Sequence, residues 1–173
     1  MTAADLPATE YAEFYAGYVQ QVPPTISLRT ALDDSEALLT DYLSSVAEER
    51  VDFAYAPGKW SVKQALQHLL DSERIFTYRI LRLGRHDATP LPGFEQNDYA
   101  LAADLSGRDF SRMVEEFRTL RKGTIALVSG LTAEDLEFRG TVSDHTMSCR
   151  AMAFILCGHT YHHHTIYRER YGL

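Results

Sequence analysis

Four of the seven histidines lie in one short segment, HTYHHH (159–164). Residues four apart project from the same face of an α-helix, roughly 5–6 Å apart at Cβ, so the rings of His159 and His163 can reach one metal ion. His162 follows His159 by three residues and is an alternative second ligand, whereas His164 points about 100° away from His163. The spacing therefore predicts a pair of metal-ligating imidazoles, with His162 and His163 both open for the second position.

The histidine pair lies on an apolar helical stripe. Steps of four, three, four and three residues connect Met152, Leu156, His159, His163 and Ile166. This is the inward-facing pattern of a helix in a bundle, so the pair is expected to face the core. An unpaired polar group in a core costs about 1–3 kcal/mol, and a shared metal ion would satisfy both imidazoles at once.

A third histidine, His68, lies on an earlier helical segment and could complete a three-histidine site. Its own stripe is small and mixed, which leaves room for a cavity, while a neighbouring stripe of the same segment is strongly apolar. The mixed stripe consists of Ser61, Ala65, His68, Ser72 and Ile75. This placement predicts a metal ligand from a facing helix. A hydrogen-bonded helix residue is the alternative interpretation.

Three imidazole ligands would leave at least one coordination position for water or substrate, which is the arrangement of catalytic zinc sites. Imidazole suits Zn²⁺, Ni²⁺, Cu²⁺ and Fe²⁺ alike, so the histidines do not select the metal. The open position would acidify a water molecule or activate a thiol for attack on a substrate. Metal affinity should fall as the pH drops through about 6–6.5, because imidazole must lose its proton to bind the ion.

Four long segments show the apolar periodicity of helices and must position these histidines. They span residues 27–49, 61–83, 110–129 and 149–170. The second begins with Ser61 as N-cap, and Gln64 stands three residues later, which is the spacing of a capping box.

The connections between these segments define the expected topology. Residues 86–107 link the second and third segments and contain a Pro-Leu-Pro-Gly core that cannot be helical. Residues 131–147 are expected to form a helical turn followed by irregular or hairpin structure. We therefore predict an all-α fold, a four-helix bundle with a long crossover connection between helices 2 and 3, in a single domain of residues 1–173.

Composition and charge exclude several classes of protein. With 45% hydrophobic and 24% charged residues, the chain is typical of a soluble globular protein. It has no apolar run of the ~20 residues that cross a bilayer and no secretory signal, so we expect it in the cytoplasm. The net charge of -7 disfavours tracking of nucleic-acid phosphates. Cys149 and Cys157 are too far apart on a helix to form a disulfide and are expected to be reduced packing residues.

The segments that carry these motifs resemble the DinB-like superfamily. The matching stretches are EYAEFYAGYVQQVP (10–23), PGKWSVKQALQHLLDSERIFTYRILRLGR (57–85), PLPGFEQNDYA (90–100), FRTLRKGTIALVSGL (117–131) and GHTYHHHTIYRERY (158–171). Their order and spacing follow the family along nearly the whole chain. The specific part is the combination of W-S-x-x-x-x-x-x-H with a C-terminal H-x-x-x-H.

The resemblance implies a four-helix bundle, often dimeric, that holds a divalent metal ion, commonly zinc or nickel, with three histidines. The ligands of the family fall on His68, His159 and His163, which favours His163 over His162. The family often has an acidic or other polar residue directly after the first histidine of the C-terminal pair, and here this residue is Thr160. Characterised relatives include transferases and isomerases that use a low-molecular-weight thiol, such as bacillithiol or mycothiol, as co-substrate.

These features predict a divalent-metal-dependent enzyme, a thiol-dependent S-transferase or a hydrolase, that acts on a small electrophilic substrate. The alternative is a non-catalytic metal-binding module of the stress response. A DNA-binding role is suggested only by the name of the family, and the acidic balance disfavours it. The expected partners are a small-molecule substrate and a second copy of the chain in a homodimer, with no nucleic acid and no membrane.

Other polar residues have structural and functional interpretations. Glu73 lies on the apolar stripe of the second segment and is expected to pair with a buried cation, for which Arg121 is the preferred partner, in a structural role. Glu95 and Asp98 lie in the long connection, where each is a candidate general base or outer-shell group, with surface solvation as the alternative. Trp60 is expected to anchor the turn before the second segment, and a place at the mouth of a site is the alternative.

Overall fold

The computed structural model describes residues 1–173, and helices account for most of them. In chain order the elements are α1 (Ala16–Val19), α2 (Leu28–Ser44), α3 (Val62–Leu83), α4 (Gln96–Ala102), α5 (Phe110–Ser129), α6 (Ala133–Glu137), β1 (Arg139–Val142), β2 (His145–Ser148) and α7 (Cys149–Ile166). A π-helical turn, Tyr167–Tyr171, continues α7 where the sequence predicted α-helix to residue 170. None of the helices is both long and apolar enough to cross a membrane.

The helices begin at side chains that cap their free amides. The Ser61 hydroxyl accepts a hydrogen bond from the Gln64 amide at 3.2 Å, and the Gln64 side chain accepts one from the Ser61 amide at 2.8 Å. This confirms the predicted capping box at the start of α3. At the start of α7, the Ser148 hydroxyl accepts from the Ala151 amide at 3.0 Å. These caps fix the register of the two helices that carry the histidines.

The first long helix is shorter than the sequence predicted. It ends at Ser44 rather than near residue 49. Ser44 and Ser45 donate their hydroxyls to backbone carbonyls three or four residues earlier, at 2.6 and 2.7 Å. Such bonds compete with the backbone bonds that would continue a helix. A 3-10 turn, Glu48–Arg50, follows instead.

The four long helices form the predicted four-helix bundle, and one apolar cluster lies at each of its two ends. The first cluster includes Leu32, Ile80, Val128 and Phe154, and the second includes Leu43, Leu66, Phe117 and Tyr167. In both α2 and α7 the chain passes from the first cluster to the second, whereas α3 and α5 run the opposite way. Each of α2 and α3 packs against both α5 and α7. The long helices α3 and α5 follow one another in the bundle and are therefore parallel neighbours. The chain between them, which includes α4, must return along the length of the bundle.

A buried polar layer separates the two clusters. It is formed by Ser35 of α2, Ser72 and Glu73 of α3, Arg121 and Thr124 of α5, and Thr160 of α7. Each of the four helices thus contributes at least one polar side chain at mid-height. Because buried polar groups must find partners, the layer restricts how the helices can rotate against one another.

Arg121 is the centre of this layer and is fully buried. Its Nε and Nη2 donate to the two oxygens of Glu73 at 2.8 and 2.9 Å, which confirms the pairing predicted from the sequence. Nη1 donates to the Ser35 hydroxyl at 2.6 Å and to the Leu32 carbonyl at 3.1 Å. Nη2 also donates to the Thr160 hydroxyl at 2.9 Å. One guanidinium group therefore joins α5 to the other three helices.

The N-terminal segment crosses the first apolar cluster and is anchored by the buried carboxylate of Glu10. Glu10 accepts hydrogen bonds from Arg150 at 2.5 and 2.8 Å, from Arg139 at 2.9 Å and from the Ser148 hydroxyl at 2.7 Å. The bonds from Arg150 are the main reason that the pKa of Glu10 falls to about 2. The anchor holds α1, a few residues further on, against α7.

The connection between α5 and α7 consists of α6 and a two-stranded antiparallel hairpin, as expected for residues 131–147. Ser143 and Asp144 form its turn with φ angles of 50° and 65°. Two positive φ angles are characteristic of tight hairpin turns, but a Ser-Asp pair is a weak sequence signal for one. The Leu91 amide donates to the Thr141 carbonyl at 2.9 Å, so the hairpin also holds the crossover connection.

The buried ion pair leads to a prediction about stability. Arg121→Met should lower the free energy of unfolding by about 3–5 kcal/mol, because Glu73 is left buried without its counter-charge. Glu73→Leu in the same background should recover part of this loss, since neither charge is then unpaired. Urea denaturation measures both effects. The exposed pair of Arg29 and Asp33 provides the control, and Arg29→Met should change stability by about 0.5 kcal/mol at most. Strictly additive effects of the two core substitutions would contradict the interpretation.

Candidate metal centre

Three histidine rings meet beside the polar layer. His68 comes from α3, and His159 and His163 come from successive turns of α7. Their ring centroids are 4.6–5.0 Å apart, and Nε2 of His68 lies 3.0 Å from Nε2 of His159. One ring nitrogen from each residue lies within 4.8 Å of the others. The structure therefore brings together the three residues that the sequence and the family resemblance selected.

The other two histidines of the segment are not part of this group, although the His162 ring lies edge-on to that of His163 at 5.5 Å. The His162 ring lies edge-on to Tyr18 at 5.3 Å and is half-buried, and the buried His164 packs against Tyr42 at 5.1 Å. Helical spacing alone left the choice between His162 and His163 open. The packing of α7 against α3 places His163 beside His68, and this contact selects His163 for the group.

Burial keeps the three imidazoles uncharged. Loss of hydration lowers the pKa of His68 to about 4, and the pKa values of His159 and His163 are held well below the usual value for the same reason. Neutral imidazole has the free lone pair that a metal ion needs. Protons should therefore compete with a metal for the folded site at a lower pH than the range near 6–6.5 expected from the sequence.

The donor set fits a divalent metal ion. Nδ1 of His163 is buried and has no hydrogen-bond partner in the chain. An unsatisfied buried nitrogen is costly, and coordination is one way to satisfy the ring. Three neutral nitrogen donors from two helices are the ligand number of catalytic zinc sites, in which a further position remains free. His68, His159 and His163 are thus suited to hold such an ion.

Two cavities open beside the triad. The first, of about 280 Å³, is bordered by Lys59, Trp60, His162 and His163, and we call it the Trp60 cavity. The second, of about 290 Å³, is bordered by His68, Phe76, Glu95 and His159, and we call it the Phe76 cavity. Tyr18 and Gln96 line both, so α1 and α4 form the partition between them. A ligand can reach the triad from either side.

The structure resolves the alternatives for Trp60. Its ring lies 4.9 Å from that of His68, and it lines the Trp60 cavity, so it belongs to the wall of the site. It also stabilises the turn before α3, because the Tyr171 hydroxyl donates to its carbonyl at 2.8 Å. Trp60 therefore has both of the roles considered from the sequence, since it anchors the turn and also lies in the wall of a cavity. The π-helical turn that carries Tyr171 connects the end of α7 to this wall.

The remaining candidates are separated by position. Glu95 and Asp98 are both exposed, but Glu95 lines the Phe76 cavity, whereas Asp98 lines neither cavity. Thr160 contacts no histidine ring through its hydroxyl, which accepts from Arg121 and donates to the Leu156 carbonyl at 3.1 Å. It links the α7 segment of the triad to the ion pair of the polar layer.

Sequence reasoning missed Tyr18 and Gln96, the residues that divide the two cavities. Neither stands at a helical spacing from a histidine, because each belongs to a short element outside the bundle. The one local signal is Gly158, a glycine in the middle of a long helix and directly before His159. A glycine there costs helix stability and indicates the close approach of another backbone.

The fold agrees with what is found by comparison with known proteins. The model of the DinB superfamily matches residues 31–166, and the chain belongs to this superfamily. Among solved structures, YfiT from Bacillus subtilis superimposes with a TM-score of 0.71 over 94% of this chain and 92% of that chain, at 19% identity. That protein is described as a probable metal-dependent hydrolase with an unusual four-helix bundle topology.

A relative from Oceanobacillus iheyensis is 25% identical over 100 residues. It carries the name "putative metal-dependent hydrolase". The match spans 57% of this chain and 57% of that protein. The chain thus aligns with little more than half the length of this curated relative.

The uncharged histidines lead to a prediction about pH. In the unfolded chain imidazoles take up protons near their ordinary pKa of 6.5, whereas His68 in the folded chain stays neutral to about pH 4. Between these values the unfolded state binds more protons, so the free energy of unfolding of the metal-free protein should fall as the pH decreases from about 6.5 to about 4. Denaturation at each pH measures the slope. His68→Gln should reduce the slope and the exposed His145→Gln should not, and a flat profile would contradict the assignment.

Proposed function

We propose that this protein is a metal-dependent hydrolase whose single divalent ion is held by His68, His159 and His163. The observation that carries the proposal is the group of three buried, uncharged imidazoles with a nitrogen from each within 4.8 Å of the others, beside two open cavities. A divalent ion there would supply Lewis-acid chemistry, polarising a carbonyl or phosphoryl oxygen and making a water molecule more acidic. The names of the two relatives support the same class of reaction.

The cavities favour a small-molecule substrate. Each has a volume below 300 Å³, which is at the lower end of ligand pockets. The Phe76 cavity is largely aromatic, with Phe14, Phe76 and Phe94 in its wall. The Trp60 cavity is more polar and includes Lys59 and Asn97. The two cavities therefore suit a substrate that places an apolar part in the Phe76 cavity and a polar part in the Trp60 cavity, with the bond between the parts near the triad.

The chain does not supply a thiol nucleophile. Cys149 and Cys157 are free but buried, and burial raises the pKa of each thiol to about 12. Neither cysteine lines either cavity. The nucleophile is therefore a water molecule or an external low-molecular-weight thiol, and the second of these would make the protein an S-transferase. The two reactions share the metal site and differ only in the co-substrate.

Glu95 is the only carboxylate that lines either cavity, and we assign it as the proton acceptor. Its Oε1 accepts from the amide and the side chain of Asn97 at 3.0 and 3.1 Å. These bonds leave Oε2 free to take a proton from water or from a thiol. General bases contribute about 10²–10⁴-fold to a rate.

The metal site is tested by elemental analysis of protein purified without a histidine tag. We expect one divalent ion per chain in the wild type and its loss in His68→Ala and His163→Ala. His162→Ala is the matched control on the same helix and should retain the ion. Trp60, the only tryptophan, should change its emission on metal titration because its ring lies 4.9 Å from His68. Full metal content in His68→Ala would refute the ligand assignment.

The proton acceptor is tested by the hydrolysis of p-nitrophenyl acetate with and without an added thiol. Glu95→Gln should lower kcat/KM about 100-fold or more while the metal content is unchanged. Glutamine keeps an oxygen for the Asn97 amide, so α4 should remain capped. Asp98→Asn changes the neighbouring exposed carboxylate and should have no effect. Equal rates in wild type and Glu95→Gln would remove Glu95 from the mechanism, and turnover that requires the thiol would favour the transferase.

A further inference from the structure

The backbone of α1 rests directly on Gly158 of α7. A Cβ atom placed on Gly158 would lie 1.9 Å from the Tyr18 carbonyl oxygen and 2.5 Å from its carbonyl carbon. No side chain can be accommodated at these distances without moving the backbone of α1. Gly158 is therefore required for the approach of α1 to α7 at the residue before His159.

This approach places the Tyr18 ring against the triad. The ring makes edge contacts with His159 and His162, each at 5.3 Å between centroids. The side chain lines both the Trp60 cavity and the Phe76 cavity. Tyr18 is thus the aromatic residue that a ligand would contact from either side of the partition.

The hydroxyl of Tyr18 has no hydrogen-bond partner within the chain, unlike those of Tyr167 and Tyr171. Tyr167 donates to the Val62 carbonyl at 3.1 Å, and Tyr171 donates to the Trp60 carbonyl at 2.8 Å. These two hydroxyls stabilise the fold by binding backbone carbonyls near the start of α3. A phenolic hydroxyl is protonated at neutral pH, so the one on Tyr18 remains available as a donor to a ligand in the cavities.

We propose that Tyr18 is a substrate-binding residue whose hydroxyl donates a hydrogen bond to an oxygen of the ligand beside the triad, and that Gly158 is its positioning residue. The assignment rests on the proposed metal site. It selects ligands with a carbonyl, carboxylate or oxyanion oxygen next to the reacting atom. The donor is held in place before the ligand arrives, because Glu10 anchors the N-terminal segment to Arg150 of the same helix α7. A fixed donor costs little reorganisation when charge develops on that oxygen.

The test compares two probes on metal-loaded protein. Acetohydroxamate offers oxygen atoms to the ion and to a nearby donor, whereas imidazole binds the ion through nitrogen and offers no oxygen. Tyr18→Phe should load one ion as the wild type does, bind acetohydroxamate about fivefold more weakly, as for loss of one neutral hydrogen bond, and bind imidazole unchanged. Trp60 emission or calorimetry measures both affinities. Tyr161→Phe, which removes a hydroxyl from a residue of α7 outside both cavities, should leave both unchanged.

The role of Gly158 is tested by a matched pair of alanine substitutions. Gly158→Ala should retain the ion and weaken acetohydroxamate binding as Tyr18→Phe does, with no further loss when the two are combined. Gly123→Ala is the control, because a Cβ there meets nothing within 4 Å. Additive losses would overturn the view that Gly158 acts through Tyr18.

The outcomes separate this assignment from the proposed function. Wild-type protein that takes up no ion would refute the metal site and the role of Tyr18 together. Wild-type protein that loads the ion, with equal acetohydroxamate affinity in Tyr18→Phe, would overturn the role of Tyr18 alone and leave the metal site intact. Loaded protein that binds imidazole but no acetohydroxamate would also overturn it.

Discussion

The structure depends on the burial of one positive charge, that of Arg121. Removing a guanidinium group from water costs several kcal/mol, and this cost is offset only where its donors find well-placed acceptors. Here the acceptors come from α2, α3 and α7. If any of these helices were rotated about its axis by the ~100° that separates successive residues, an N–H of Arg121 or the Glu73 carboxylate would be left unpaired. The ion pair therefore selects one arrangement of the bundle out of the many that apolar packing alone would allow.

The geometry of the histidine triad depends on that arrangement. His68 precedes Glu73 by five residues on α3, and His159 precedes Thr160 by one residue on α7. The bonds of Glu73 and Thr160 to Arg121 therefore fix how α3 and α7 are rotated about their own axes near the triad. The distance of 3.0 Å between Nε2 of His68 and Nε2 of His159 thus depends on the contacts that Glu73 and Thr160 of the same two helices make with Arg121. A site held in this way needs few interactions of its own to keep the histidines in place.

The sequence was sufficient for the features that depend on periodicity within one helix. Helical spacing placed His159 and His163 on the inner face of their helix. It also placed Glu73 on an apolar stripe, and a carboxylate on such a stripe is expected to be buried beside a cation such as Arg121. Periodicity was insufficient where two elements meet, and before the structure only the family resemblance favoured His163 over His162. The choice of His163 over His162, the place of Trp60 in the cavity wall and the contact of Tyr18 with the triad are set by packing between segments far apart in the chain. The early end of α2 at Ser44 was missed for a local reason, since hydroxyl bonds to the backbone are not part of an apolar pattern.

The topology itself explains why the site has two walls outside the bundle. Because α3 and α5 are parallel neighbours, residues 84–109 must return from the first apolar cluster to the second, and this path passes the triad. On the way α4 presents Gln96 to both cavities, and its N-cap residue Glu95 enters one of them. The N-terminal segment also reaches the triad and contributes Tyr18 to both cavities. A simple up-down bundle with short loops would place neither segment there, so its triad would lie open to solvent between bare helices. The long crossover is therefore the part of the fold that encloses the histidine triad in a cleft.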